Sequence, residues 1–327
     1  MHYSTINETS TQPDTKNGVD DNEVKEESEK YIPPWSLPPS KSTSSSRASR
    51  FRQHVNPLSR RYQMSTDLPD QWPQSDFKNV NLPLYLDIGC GKGGFLLELV
   101  GRRHGQKQKS ENNNDRISTT EVGDDSYMNS TKTFVDTTNN WLPLDGMNYL
   151  GLEIRPGVSQ YAQARVKKRG LDGVLSFVGC NANVDLDRLL TLYQESALST
   201  ADGEKNNRLA FVSIQFPDPH FKKAHAKRRV VTPELVTTLS KFMNEGDAVF
   251  LQSDIKDALE SMREQFVEND GKTYFDEWLD YEREEGQQEE YGLDNPLGIP
   301  TEREVSVLKR GLPVYRTLFK RNEAVFE

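Results

Sequence analysis

Little of this chain is apolar. Hydrophobic residues fill 34% of its 327 positions, and no run approaches the ~20 apolar residues that a helix needs to span a bilayer. A spanning helix is therefore not expected. Cysteine is scarce: Cys90 and Cys180 are the only two. They build no disulfide framework, and a reducing compartment is the simplest inference. The five histidines show no zinc-ligand spacing, and His220 with His225 is insufficient alone. No metal is expected. The N-terminus has no signal-peptide core and is too acidic for a typical transit peptide. Cytoplasm, plastid and nucleus all stay open. No internal repeat is visible.

The apolar deficit is local. Residues 1–50 are polar, with an acidic stretch from Asp20 to Glu29 and the run Ser42-Thr-Ser-Ser-Ser-Arg47, so they are expected to be a disordered extension. The remaining 51–327 form one domain in this reading. Within it, residues 102–140 are rich in Asn, Ser, Thr and Asp, which suits a flexible insert. The formal charge of −9 argues against whole-molecule attraction to nucleic acid, but distribution counts for more than the sum. Lys41, Arg47, Arg50, Arg52, Arg60 and Arg61 occur with no acid among them. Acids concentrate around Asp276–Glu290, which reads as a solvated helix or loop.

Leu84-Tyr-Leu-Asp-Ile-Gly-Cys-Gly-Lys-Gly-Gly-Phe95 reads as a buried strand, a glycine turn and a helix start. Gly89, Gly91 and Gly94 fit G-x-G-x-x-G, a weak signal for a nucleotide-type cofactor when alone. Asp87 stands just before the turn. Glu153 ends a second apolar run, Met147–Glu153, where an acid can accept both hydroxyls of a ribose. A helix over Val158–Gly170 follows, its terminal cations suiting either the helix dipole or RNA. A third strand, Gly173–Gly179, leads to Cys180-Asn-Ala-Asn183, where a polar residue can meet an adenine edge.

Leu209–Ile214 ends in Phe216-Pro-Asp-Pro-His-Phe-Lys-Lys-Ala-His-Ala-Lys-Arg-Arg229. Each proline fixes its own φ and biases the residue before it to extended backbone. Asp218 is thereby held on a stiff bend beside Lys222, Lys223, Lys227, Arg228 and Arg229. Thr232-Pro233 caps a helix to Phe242. Asp247–Ser253 is a strand, Ile255–Glu268 a helix and Val314–Lys320 a final strand. This alternation predicts a doubly wound, mostly parallel α/β sheet with its site at the strands' carboxyl ends.

Four separated motifs, Asp87–Gly94, Tyr149–Arg155, Phe216–Lys223 and Thr301-Glu-Arg-Glu304, together resemble the tRNA (guanine-N7)-methyltransferases. The resemblance runs from about Arg52 to the C-terminus apart from the insert, and the run Arg52-Gln-His-Val-Asn-Pro-Leu-Ser59 is closer to bacterial and plastid-type members. It implies a seven-stranded Rossmann-like fold that uses S-adenosylmethionine. By motif position it implies Asp87, Gly89, Gly91, Glu153, Arg155, Asn181, Ala182, Gln215 and Asp218 at the cofactor, with Asp218 also the catalytic carboxylate. Lys222, Asp254, Thr301 and Glu304 match substrate contacts. Lys223, Lys227, Arg228 and Arg229 match the segment that touches RNA. Bacterial members often carry an acid where Asn181 stands and Glu where Asp87 stands. The expected partner is tRNA, methylated at position 46 of its variable loop, with no obligate second subunit; nuclear-type members work with a β-propeller partner. Three other readings remain. An amino-group nucleic-acid methyltransferase favours Asp/Asn-Pro-Pro-aromatic, and here His220 replaces the second proline. A non-catalytic RNA-binding protein on the same fold would not need intact cofactor motifs. A nicotinamide oxidoreductase needs a proton-relay residue that is not evident.

Overall fold

Five short segments have side chains buried on both faces, as central strands of a covered sheet must. The computed structural model describes residues 55–112, 146–197, 208–220, 223–278 and 295–326, all within one compact unit spanning 44–327. The strands are β1 (Leu84–Ile88), β2 (Asn148–Glu153), β3 (Leu175–Gly179), β4 (Leu209–Gln215), β5 (Ala248–Ser253), β6 (Phe275–Glu277) and β7 (Tyr315–Arg321). They pair in the order β3-β2-β1-β4-β5-β7-β6. Neighbours from β3 to β5 are parallel, while β7 runs antiparallel to both β5 and β6. The sheet is thus seven-stranded and mostly parallel, as the sequence implies.

The helices are α1 (Gly94–Asn112), α2 (Pro156–Lys168), α3 (Ala182–Glu195), α4 (Pro233–Phe242), α5 (Lys256–Val267), α6 (Asn269–Tyr274) and α7 (Glu302–Leu308). Successive strand residues face opposite sides, and β1 shows the consequence. Leu84, Leu86 and Ile88 join one core with side chains of α3, α4 and α5. Tyr85, from the same strand, joins a second core with side chains of α1 and α2. Helices therefore cover both faces, which is the doubly wound arrangement.

The chain reverses its direction of growth between β1 and β4. From β1 the strands add one way through β2 and β3, then resume on the other side at β4. The crevice above such a switch point is where ligands of open α/β sheets bind. Residues before β1 close one side of it. Tyr62 offers its carbonyl to Asn181, and Thr66 hydrogen-bonds to Asp185 and to the Gly179 carbonyl. Trp72 and Phe77 anchor the same segment in the core.

Two expectations change. α1 runs on to Asn112, so the helix extends into the segment from 102 that reads as insert; residues 113–145 lie outside the described ones. The acidic run at Asp276–Glu277 is neither helix nor loop but part of β6, at the sheet edge. There Glu277 accepts hydrogen bonds from Arg263 and from the Thr317 hydroxyl. Residues 279–294 and 1–54, with the expected extension 1–50 among them, lie outside the described residues.

Candidate functional site

The carboxyl ends of β1, β2, β3 and β4 open onto one cleft of about 540 Å³. Gly89 lines it from β1, Glu153 and Arg155 from β2, Asn181 and Ala182 from β3, and Asp218 from beyond β4. These predicted site residues are separated in sequence and brought together by parallel pairing.

The glycine turn has a backbone only glycine adopts at low cost. Gly89 and Gly91 have φ of +84° and +55°, and a methyl group at either would meet nothing within 4 Å. Conformation, not crowding, requires glycine at both positions. The turn is tied to β2, since the N–H groups of Gly89 and Cys90 both donate to the Leu152 carbonyl. Gly91 and Asp87 do not line the cleft. Asp87 lies at the base of the turn, 3% exposed. Its Oδ1 accepts from the Ser213 hydroxyl at 2.6 Å and from Gln215 Nε2 at 3.4 Å. Burial raises its carboxyl to about 6, against the lowering effect of those two donors.

Glu153 is buried at the tip of β2 and held by its neighbour. Its Oε1 accepts from the Arg155 backbone N–H at 3.0 Å and from Arg155 Nε at 2.7 Å, and its Oε2 from Nη2 at 3.1 Å. The Glu153 hydrogen bond is also the main cause of the raised Arg155 pKa. A carboxylate has about four lone-pair positions, and these contacts leave Oε2 with one to offer. Asn181 is the N-cap of α3: its Oδ1 accepts from the Asn183 N–H while its Nδ2 donates to Tyr62. An asparagine makes both bonds at once, which an ionised aspartate cannot.

Phe216 follows β4 directly, and its φ of +50° is unusual for a residue with a side chain and costs about 1–3 kcal/mol. Its N–H donates to the Gln252 carbonyl, and the prolines on either side of Asp218 continue the bend. Asp218 is exposed at the cleft. The basic segment forms a 3-10 turn, Lys223–Arg228, which delivers Lys227, Arg228 and Arg229 to the cleft's rim. Arg229 Nε bonds the His220 carbonyl. Lys222 lies outside the described residues, as does the side chain of Lys223.

Three residues matched to substrate contacts lie elsewhere. Thr301 and Glu304 form the capping box of α7. Glu304 is 2% exposed and ion-paired to Arg316 at 2.7 Å. Asp254 is ion-paired to Arg303. None of the three lines the cleft. Gln215 also stays below it, bonded to Asp87 and Gln252. The third glycine of the predicted pattern, Gly94, abuts the Glu302 carboxylate, while the glycine packed against a neighbouring strand is Gly93, beside Phe177.

Some lining residues were not singled out from the sequence. Val55, Pro57, Leu58 and Gln63 approach from the N-terminal side, within or just beyond the run that carries the family resemblance. Asn183 bonds the Val230 carbonyl and accepts from the Thr232 hydroxyl, joining α3 to the basic segment. Cys180 and Cys90 are not nucleophile candidates. Burial pushes both thiols up, and the thiolate is the reactive form. Of the cations near the end of the helix predicted over Val158–Gly170, Arg165 and Arg169 donate to the carbonyls of Lys92 and Leu97. Among the described residues no group of three or more His, Cys, Asp or Glu is arranged to hold a metal, and no helix is long and apolar enough to cross a membrane.

A family model described as a putative methyltransferase matches residues 145–317. A Synechococcus elongatus protein is 37% identical over 277 residues, 84% of this chain and 98% of its own length. A second Synechococcus protein is 36% identical over 291 residues, 89% of this chain and 92% of its own. A Nostoc protein is 34% identical over 275 residues, 84% and 94% respectively. All three bear the name tRNA (guanine-N(7)-)-methyltransferase. A solved O-methyltransferase from Thermotoga maritima aligns over 78% of this chain and 63% of its own at 10% identity, with a TM-score of 0.35. A glycine turn, a ribose-type acid and a proline-flanked carboxylate meet at the switch point of this sheet, and relatives match it over nearly their whole length: the chain belongs to the tRNA (guanine-N(7)-)-methyltransferase family.

Proposed function

We propose that this chain methylates N7 of a guanine in tRNA, with S-adenosylmethionine as methyl donor. The observation that carries this reading is the single cleft in which Gly89, Glu153 and Asn181 face Asp218 and the cations Lys227, Arg228 and Arg229. The residues fit the cofactor. Glu153 keeps an acceptor position for a ribose hydroxyl. The glycine turn leaves open space beside its backbone. Asn181 presents an amide near the start of α3. Bound there, S-adenosylmethionine supplies an electrophilic methyl group on a positively charged sulfur.

Guanine N7 has a free lone pair, so no residue need remove a proton before attack. The chain's task is to hold the acceptor and donor in line and to stabilise the charge that passes to the purine. Asp218, on its fixed bend, accepts the guanine N1–H and N2–H and balances that charge. Asp218 lines the cleft and Asp254 does not, so Asp218 carries this role. Lys227 and Arg228 engage phosphates, which contributes affinity and orientation without sequence choice. The variable-loop guanine is the target, and the chain acts without an obligate partner subunit. The test uses two unmodified transcripts and purified chain: one carries the variable-loop guanine and one has adenine there. Methyl incorporation into the first alone supports the reading. Equal incorporation into both overturns the assigned target.

A further inference from the structure

A buried line of polar side chains runs below the cleft, from β7 to the base of the glycine turn. In register, Arg316 of β7 lies opposite Gln252 of β5, and Gln252 lies beside Gln215 of β4. Arg316 is 8% exposed and Gln252 fully buried. Arg316 Nε donates to Gln252 Oε1 at 3.0 Å. Gln252 Nε2 donates to Gln215 Oε1 at 2.8 Å. Gln215 Nε2 donates to Asp87 Oδ1 at 3.4 Å.

The direction of this line is dictated by chemistry. A guanidinium only donates, so the Gln252 atom facing it is oxygen. The Gln252 nitrogen then faces Gln215, whose oxygen must receive it. The Gln215 nitrogen is left pointing at Asp87. An ion pair at the far end, with Arg316 donating to the Gln252 oxygen and Glu304 accepting from the Gln252 nitrogen at 3.3 Å, sets the orientation of two amides and places a donor on the acid beneath Gly89. Glu304 holds Arg316 in place, accepting from its Nη2 and from Asn295, and it is fixed in turn by the capping box of α7.

We propose that Arg316 is a positioning residue for the cofactor site, acting through Gln252 and Gln215 on Asp87 and the glycine turn above it. The assignment rests on the functional reading of that cleft. It also gives Glu304 a role distinct from substrate contact: it anchors the cation that orients the line. Without the Arg316–Glu304 pair, Gln252 loses both groups that orient it, and Asp87 loses a fixed donor.

The test measures binding of S-adenosylhomocysteine by titration calorimetry, alongside kcat and KM. Because Arg316→Met leaves Glu304 as a buried unpaired anion, it is made together with Glu304→Gln. Gln252→Leu cuts the line and removes one donor to Glu304, while the direct Arg316–Glu304 contact remains. In both variants the expected result is a Kd for S-adenosylhomocysteine raised about tenfold, the equivalent of one oriented hydrogen bond. KM for the cofactor should rise with it, and kcat at saturating cofactor and tRNA should stay within about twofold of wild type. A merely structural role would lower kcat through loss of folded enzyme and leave KM unchanged. That pattern, or wild-type Kd in the folded Gln252→Leu variant, overturns the assignment. If the wild type itself fails to bind S-adenosylhomocysteine, the reading of the cleft is wrong and the assignment falls with it.

Discussion

Replacing Glu153 by glutamine separates cofactor recognition from folding. The carboxylate is buried at the tip of β2, and Arg155 already holds three of its acceptor positions. In the substituted protein the amide keeps one oxygen for Arg155 and turns a donor toward the cofactor's hydroxyls. Hydrogen bonds to charged groups contribute about 1.5–3 kcal/mol. Losing one therefore weakens cofactor binding roughly 10- to 100-fold. The cost to folding is read separately. Glu153 is buried but Arg155 keeps 25% of its side chain exposed, so the loss stays below the roughly 3–5 kcal/mol of breaking a fully buried pair. Titration calorimetry with S-adenosylhomocysteine measures the first effect and thermal unfolding the second. A Kd within twofold of wild type, in a protein that melts normally, would refute Glu153 as the ribose acceptor.

Other perturbations test other parts of the site. Burial raises Asp87 from 3.8 to about 6, so the folded protein holds a proton that the unfolded chain releases between those pH values. Its contribution is stabilising below about pH 4 and is lost as pH rises to about 6. The loss is roughly 3 kcal/mol. Urea unfolding should therefore show Asp87→Asn gaining on wild type between pH 4 and 7, with Asp247, raised similarly, cancelling in the comparison; a difference independent of pH contradicts this. Asp218→Asn should lower the methylation rate at saturating tRNA by about tenfold or more, and an unchanged rate would remove its electrostatic role. Lys227→Ala and Arg228→Ala should each reduce the salt dependence of tRNA binding by about one unit of log–log slope. Thr232→Ala removes the hydroxyl that accepts from the Leu235 N–H and bonds Asn183. It should cost about 1 kcal/mol of stability by chemical denaturation.

The parts legible in the sequence are those with local causes. The strand before Gly89, the acid ending β2, the proline-flanked turn and the Thr232 cap each depend on residues within a few positions of one another. The doubly wound, mostly parallel class of the sheet followed from alternation of strand and helix patterns. β6 was not legible, because Phe275–Glu277 is a strand only through pairing with β7, far along the chain. The acids around it read as solvated surface, yet Glu277 is paired with Arg263 across the fold. Arg316 shows the same limit. Its partners Gln252 and Glu304 come from β5 and α7, and nothing in the run around it marks it as buried. Thr301-Glu-Arg-Glu304 had a local signature that the family resemblance overshadowed. Its spacing is that of a capping box, and the structure uses it as one, with Glu304 turned into the protein and away from the cleft.

The most direct measurement incubates the purified chain alone with unmodified tRNA and methyl-labelled S-adenosylmethionine, then separates the nucleosides after complete digestion. The label is expected in 7-methylguanosine, with no second subunit added. Label in a nucleoside methylated on an exocyclic amino group would contradict the assigned chemistry. No incorporation by a protein that binds S-adenosylhomocysteine would contradict the claim that this chain methylates tRNA by itself.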